Sequence, residues 1–370
     1  MNLDEILTTL NYYQHRNYDL ARSMPPEFYT SEEVFNLEKE RLFQSEWVCL
    51  GRKEQIPHPG DYFTTNLTDE PLIVVRTDPT EIKVLSNVCR HRGSIIASGK
   101  GNQDAFICPY HSWSYNLNGE LRHAPLISKR SDFDPDKCRL PTFSSEVWGG
   151  FIYVNLDGSA LPLSNQLDGL SKMVEHHHMD EMIEQHAEEH IWDCNWKSLA
   201  ENFMEGYHLS SVHKKTLHGI TPTRLSKHFP PGEGYFGFYS GYPNDLPPRG
   251  KYHDDLTPEE QNRSVMFSVP PFHVASLSGH KVTYLYLRPE TAGTVRVKQG
   301  MALLDPDISD TDLHHAVDLF KRTMAEDHIQ LAQVFLGLKS RYLNTAPLGS
   351  TDYEGGTICD FYYFLANRLL

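Results

Sequence analysis

The chain has 370 residues, 39% hydrophobic and 22% charged, with a formal net charge of −15. That length is enough for two domains with a large core, and the acidic balance argues against a nucleic-acid backbone or an anionic membrane as partner. No run of about 18 apolar residues is present to span a bilayer.

The first 17 residues are polar and lack the apolar core of a secretory signal. Residues 1–45 read as helical, with Val34, Leu37, Leu42 and Phe43 on the apolar side of a run that begins at Ser31. Short strand-like runs follow at Trp47–Leu50, Leu72–Val75 and Ile82–Leu85, separated by turns at Pro59-Gly60 and Asp78-Pro79. Trp113–Tyr115, a turn at Asn118-Gly119 and Gly150–Val154 complete a small antiparallel β domain over 46–156. A linker is expected at 162–165. Beyond it, 157–370 mixes helices with alternating strands such as Val282–Leu287 and Thr294–Val297. The fold class is therefore α+β. Residues 222–264, rich in Pro, Gly and polar groups, read as a long irregular stretch, either functional, such as a lid, or mobile.

Within the β domain stand Cys89-Arg90-His91 and, after a gap of sixteen residues, Cys108-Pro109-Tyr110-His111. Two thiolates and two imidazoles are the ligand set of a Rieske [2Fe–2S] centre, in which two Cys hold one iron and two His the other. A Cys2His2 zinc site is the competing reading, but zinc motifs group Cys with Cys and His with His. Here they are interleaved. Gly93 can tighten the first loop, Pro109 can stiffen the second and Trp113 can shield them. The remaining cysteines, Cys49, Cys138, Cys194 and Cys359, are scattered and read as buried thiols in a reducing cytoplasm.

A second set of ligands lies downstream. Asn195-Trp196-Lys197 opens a helical run through Leu199, Ala200, Phe203 and Tyr207, leading to His208 and His213. Two histidines five apart sit about 140° apart on an ideal helix, so both reach one metal only if the backbone breaks between them. Residues 310–340 read as a long amphipathic helix with a stripe of Leu313, Val317, Phe320, Met324, Leu331, Val334 and Leu338. The stripe misses one beat, where Asp327 stands. A carboxylate there is costly unless it is paired or bound to a metal. A mononuclear Fe(II) site needs two His and one carboxylate, and Glu326 and Asp360 are weaker candidates for the acid.

The cysteine–histidine loops, the segment Asn195-Trp196-Lys197…Glu201-Asn202…Glu205-Gly206-Tyr207-His208…His213 and the run Glu326-Asp327…Gly337-Leu338-Lys339-Ser340 together resemble the Rieske non-heme iron oxygenases, the terminal oxygenase alpha subunits of multicomponent systems. The resemblance implies a Rieske β domain over 46–156 and a helix-on-antiparallel-sheet, helix-grip (START-like) catalytic domain over 157–370, with 1–45 packing on the latter. It implies a [2Fe–2S] cluster on Cys89, His91, Cys108 and His111, and Fe(II) on His208, His213 and Asp327. In a head-to-tail homotrimer, Glu205 would bridge His111 of one subunit to the iron of the next. Electrons would come from NAD(P)H only indirectly, through a separate reductase with or without a ferredoxin. O2 and a small organic molecule would be the substrates. Glu rather than Asp at 205, and the short chain, resemble the carnitine and choline monooxygenases that act on quaternary ammonium compounds. That favours hydroxylation of a quaternary ammonium or N-methylated compound with C–N cleavage or demethylation. Aromatic-acid ring hydroxylation or dioxygenation is the alternative. A pure electron-transfer Rieske protein is the rival of another class, and it leaves the C-terminal half unexplained.

Other signals carry less. Gly232–Gly237 matches G-x-G-x-x-G but follows Pro230-Pro231 rather than a strand. His186-Ala187-Glu188-Glu189-His190 lacks the Glu that a zincin needs after its first His and reads as a solvated helix face. His176-His177-His178 reads as facing water. Phe203, Tyr207, Phe267, Phe272, Tyr284 and Tyr286 could line a pocket for an ammonium group, but most read as ordinary core.

Overall fold

The computed structural model describes residues 1–127, 130–244, 246, 250–305 and 307–370. The chain begins with α1 (Leu3–Asn11), whose first turn is closed by reciprocal bonds between Asn2 and Glu5. The short α2 (Glu27–Thr30) and α3 (Glu32–Arg41), capped by the Ser31 hydroxyl, follow.

Residues 44–160 form one compact unit. Its strands are β1 (Val48–Arg52), β2 (Asp61–Leu67), β3 (Glu70–Arg76), β4 (Ile82–Ser86), β5 (Lys100–Asn102), β6 (Phe106–Ile107), β7 (Ser114–Tyr115), β8 (Leu121–His123), β9 (Thr142–Trp148) and β10 (Phe151–Asn155). Among the described residues they make a seven-stranded sheet in the order β1-β10-β9-β4-β3-β2-β5 and a three-stranded sheet β6-β7-β8. Every pairing is antiparallel. The core between them holds Ile73, Val75, Leu85, Phe106, Trp113 and Tyr115 together with Cys89 and Cys108, so the two thiols are set into packed apolar surroundings.

Residues 1–43 and 161–370 form the other unit. It continues with α4 (Leu163–Gln166), α5 (Asp168–Val174), β11 (Ile183–Trp192), α6 (Trp196–Phe203), α7 (Leu209–Val212), β12 (Ser226–His228), β13 (Phe236–Gly241), α8 (Pro258–Gln261), β14 (Arg263–Val269), β15 (His273–Ser278), β16 (Lys281–Thr291), β17 (Thr294–Leu303), α9 (Asp310–Leu338) and α10 (Gly356–Leu369). Among the described residues its sheet runs β11-β17-β16-β15-β14-β13-β12, antiparallel throughout. The helices α6, α9 and α10 pack on it, as expected of a helix-on-antiparallel-sheet domain. Edge-to-face contacts of Trp196 with Phe43, Phe272 and Phe361 join the N-terminal segment, the sheet and α10 in one core.

Several local expectations are corrected. The expected linker at 162–165 is largely helical, as α4. The stretch 222–264 is not irregular throughout. It supplies β12, β13 and α8, because Phe236, Phe238 and Ser240 turn inward against β14 despite flanking Pro and Gly. His186–His190 lies on β11 rather than on a helix, where nine residue pairs with β17 override the helical propensity of its Glu and Ala. The α9 stripe is buried only from Phe320 to Leu331, and Val334 is exposed.

Two buried ionic groups tie the N-terminal segment down. Lys197 on α6 pairs with Glu38 on α3, both fully buried, and Trp196 Nε1 donates to the same carboxylate at 2.8 Å. Asp360 on α10 takes Arg16 Nε at 2.9 Å, the Tyr18 hydroxyl at 3.0 Å and His228 Nε2 at 2.7 Å. These partners account for its burial, and Asp360 does not join the group of His208, His213 and Asp327. Lys197→Met strands a buried carboxylate and is expected to lower the stability of this unit by about 3–5 kcal/mol. Adding Glu38→Leu should restore much of the loss. Thermal melts of the three proteins test this, and a single variant that melts with the wild type would contradict it.

Candidate functional site

The smaller unit presents two loops. The first leaves β4 and is tied by Cys89 N–H to Ser94 O at 2.8 Å and Gly93 N–H to Cys89 O at 3.0 Å, with Gly93 in the left-handed region at φ 74°. The second joins β6 to β7 and is tied by Cys108 N–H to Trp113 O at 2.8 Å and Ser112 N–H to Cys108 O at 3.0 Å. These turns bring the His91 and His111 rings to 4.6 Å between centroids, and Trp113 stacks on His91 at 4.9 Å. Burial acts against ionisation of Cys108, but the N–H of Tyr110, the neighbouring Cys89 thiol and the N–H of His111 together outweigh it and lower its pKa. Burial raises that of Cys89, whose sulfur lies 3.2 Å from the Tyr115 hydroxyl. Tyr115 carries no motif signal and was missed in the sequence. The donor set fits a Rieske cluster: two buried thiols, two facing imidazoles, and a buried His91 Nδ1 without a hydrogen-bond partner among the described residues.

In the larger unit, the Asn195 side chain caps α6, which stops at Phe203, before the expected Tyr207. Met204 N–H closes the helix on Ala200 and Glu201, and Gly206 follows at a point where a Cβ would meet Ser226 Oγ at 2.0 Å. The chain therefore turns at Gly206, and Tyr207 is exposed. His208 and His213 flank the four-residue α7, and the backbone leaves the helix at His213 (φ −94°, ψ 39°). That is the interruption their spacing requires.

His213 Nε2 lies 3.1 Å and His208 Nε2 3.7 Å from Asp327 Oδ1, on the buried face of α9. Ligand atoms of all three residues fall within 4.8 Å of one another. The outer nitrogens are held as well. His208 Nδ1 meets Glu205 Oε1 at 2.5 Å, and His213 Nδ1 meets Glu326 Oε2 at 2.8 Å. Glu326, ranked in the sequence as a weaker ligand, thus faces the outer nitrogen of His213, and the Thr216 hydroxyl donates to it at 2.5 Å. Burial opposes its charge, yet Thr216 and His213 hold its pKa below the ordinary carboxylate range. Glu205 accepts the N–H groups of Tyr207 and His208. Burial works against a charged His208, but Glu205 and then Asp327 and Glu354 outweigh it and raise its pKa. Glu354 itself is pushed up by burial, with the charge of Glu205 adding to the rise.

Three carboxylates around two imidazoles leave an excess of negative charge that a divalent cation would neutralise. Asp327 Oδ1 is buried and lacks a good hydrogen bond among the described residues. Two His and one carboxylate with their outer nitrogens held fit mononuclear iron.

Glu205, His208 and Asp327 line a cavity of about 120 Å³, with Asn202, Phe203, Leu217, Met266, Phe320 and Thr323 among its walls. Of the aromatics considered from sequence, Phe203 lines it; Phe267, Phe272, Tyr284 and Tyr286 are buried core. Phe320, Thr323 and Met324 carry no signal beyond helical periodicity, yet they form its α9 wall.

Comparison with known proteins identifies both domains. Residues 46–144 match the Rieske [2Fe-2S] domain, and 174–357 match the ring hydroxylating alpha subunit catalytic domain. The chain belongs to the Rieske ring-hydroxylating oxygenase family. The chain is 32% identical over 204 residues to the carnitine monooxygenase oxygenase subunit of Escherichia coli K12, covering 52% of each protein. It is 33% identical over 250 residues to the benzene 1,2-dioxygenase alpha subunit of Pseudomonas putida, covering 60% of this chain and 54% of that one. It thus spans about half the length of these curated relatives. The crystal structure of the quaternary ammonium Rieske monooxygenase CntA shares its fold, with a TM-score of 0.85 at 23% identity over 96% of this chain and 97% of that one.

Glu326→Ala removes the carboxylate on His213 and is expected to weaken iron binding at His208/His213/Asp327 by about 10–100-fold. Chelator challenge with iron analysis, alongside the visible absorbance of the cluster, separates the two sites. Iron retention equal to wild type would mean that Glu326 does not orient His213.

Proposed function

We propose that this chain is the terminal oxygenase of a multicomponent system, taking electrons from a separate reductase and using O2 to hydroxylate a small organic substrate. Residues 46–156 would serve the cluster and 157–370 the iron, with 1–45 as a brace. The observation that carries the proposal is the pair of ring nitrogens facing Asp327 Oδ1 in the wall of a cavity, in a chain that also has a Rieske domain. An electron carrier has no use for that cavity.

Cys89, His91, Cys108 and His111 are assigned to the cluster, and His208, His213 and Asp327 to iron. When bound, the cluster supplies electrons singly and the iron supplies O2 activation. The protein residues do the rest. Glu205 and Glu326 hold the outer nitrogens of the two histidines, so that both inner nitrogens stay turned to Asp327. Phe203, Leu217, Met266 and Phe320 exclude water, and Asn202 and Thr323 offer polar groups for orientation. Glu205 is assigned the bridge from His111 of a neighbouring subunit in a homotrimer. Exposed Ile95, Ile107 and Tyr110 by the cluster loops, and Ile329, Leu336 and Tyr342 near the end of α9, support apolar contacts of that kind. The reductase, with or without a ferredoxin, would draw on NAD(P)H. Among the described residues no helix is long and apolar enough to cross a membrane, and a cytoplasmic setting is proposed.

For the substrate we favour a quaternary ammonium or N-methylated compound. The carnitine monooxygenase relative, Glu at 205 and the aromatic side chains of Phe203 and Phe320 in the cavity wall support it. Hydroxylation at a carbon beside nitrogen gives a carbinolamine that collapses with C–N cleavage, so an aldehyde and an amine would be the products. The benzene dioxygenase relative favours a second reading, ring hydroxylation or dioxygenation of an aromatic acid.

Oxygen uptake with a surrogate reductase across betaines, N-methylated amines and aromatic acids is expected to respond to an amine and release an aldehyde. A cis-diol or phenol would move the assignment to the second reading. No uptake with any of them, from protein loaded with both metals, would remove both. Glu205→Gln is expected to keep cluster and iron while slowing turnover by an order of magnitude or more. Normal steady-state activity in that variant would rule out the bridge.

A further inference from the structure

The cavity beside Asp327 has a polar stretch in its sheet wall. Side chains two apart on a strand share one face of the sheet. On β15 and β16 the face toward the cavity carries Ser276, Ser278, Lys281 and Thr283. Ser276 lies directly opposite Thr283, and Ser278 opposite Lys281. The Ser278 hydroxyl is used within the fold, 3.2 Å from both His280 Nδ1 and the Lys281 carbonyl oxygen. Ser276 and Thr283 have no side-chain hydrogen-bond partner among the described residues. Valine or alanine there would line the cavity without a polar group to satisfy, so the two hydroxyls offer donors to whatever fills the space.

Lys281 is the only lysine or arginine in that wall among the described residues. It also lines an outer cavity of about 540 Å³, as do Ile220 and Leu319, so it stands where the two cavities adjoin. Leu319 precedes Asp327 by eight residues on α9, about 12 Å along the helix axis. Negative side chains thus gather at the metal ligands, with Glu205 and Asp327, and a positive one stands at the far end. Neighbouring strands lie about 4.8 Å apart and residues two apart on a strand about 7 Å. Across that span two hydroxyls and the long lysine side chain can reach one carboxylate, and charge-assisted bonds of this kind are the strong ones. An ion pair between Lys281 and Asp305, Asp307 or Asp312 of the outer cavity is the rival account. It leaves Ser276 and Thr283 unexplained.

We propose that Lys281, Ser276 and Thr283 form an anion subsite that holds a carboxylate of the substrate at the end remote from the iron. The proposal rests on the oxygenase reading above and narrows its substrate. Betaines and aromatic acids fit, whereas simple amines, amino alcohols and hydrocarbons do not. Lys281 is then a specificity-determining residue, and the carbon that reacts stands at the opposite end of the substrate from the acid.

Calorimetry under argon, on protein loaded with both metals, tests this without reference to turnover. A series of trimethylammonium alkanoates and benzoate are each set against their methyl esters. At least one acid is expected to bind about 10–100-fold more tightly than its ester. Lys281→Met should remove that preference while ester binding and iron content stay as in wild type. Lys281→Arg should keep it, and Ser276→Ala with Thr283→Val should reduce it severalfold. A wild type that binds acids and esters alike, or binds no acid, overturns the subsite. So does a Lys281→Met protein that keeps the preference, the result expected if Lys281 only pairs with an acid of the outer cavity. Oxygen uptake is read separately: acids that bind through Lys281 and are never oxidised would leave the subsite standing and remove the oxygenase reading.

Discussion

A carboxylate in the buried stripe of a helix is costly unless it is paired or bound to a metal, and Asp327 faces two imidazoles whose inner nitrogens converge on one of its oxygens. That convergence depends on the opposite sides of the rings. Without Glu205 and Glu326 on the Nδ1 atoms, either ring could turn about its own bond and offer the wrong nitrogen. The centre is therefore five residues deep.

The scaffold explains how a short, interrupted segment can hold such geometry. Residues 204–213 have only one turn of helix of their own. Gly206 is pressed against Ser226, and its N–H bonds to Tyr353 O at 2.7 Å. The segment is thus anchored from both the sheet and the C-terminal region. Upstream, α6 is fixed by the buried Lys197–Glu38 pair and by the Tyr29 hydroxyl on Glu201 at 2.8 Å. Burial raises the Glu201 carboxyl to about 8, so at neutral pH it is held mostly uncharged. Polar groups of this kind cost stability relative to an apolar core. They fix where α6 ends, and so where His208 begins.

Much of this was legible in the residues, because chemistry that needs a metal leaves rare side chains at odd places. Interleaved Cys and His pairs have few structural uses, and an aspartate on the missing beat of an apolar stripe stands out. The orienting residues were harder to see. Glu326 looks like any surface glutamate on α9, and Thr216 and Tyr115 belong to no motif; only tertiary packing brings them to His213 and Cys89. Strand β11 defeated the reading for another reason. His186-Ala187-Glu188-Glu189-His190 has helical propensity, but an edge position beside the long β17 decides its backbone.

The two outer carboxylates have unequal surroundings, and that difference bears on what each can do. Glu326 accepts a hydrogen bond from the Thr216 hydroxyl and is held ionised, which suits a passive brace. Glu205 is held by backbone N–H groups and faces a second acid, Glu354, whose own pKa its charge helps to raise. Negative charge is thus concentrated on the His208 side of the centre. A change of charge reaching Glu205 is therefore felt by both the acid behind it and the imidazole in front, and through that imidazole by Asp327. If one outer carboxylate is to carry information between redox sites rather than merely hold a ring, this electrostatic asymmetry makes it Glu205.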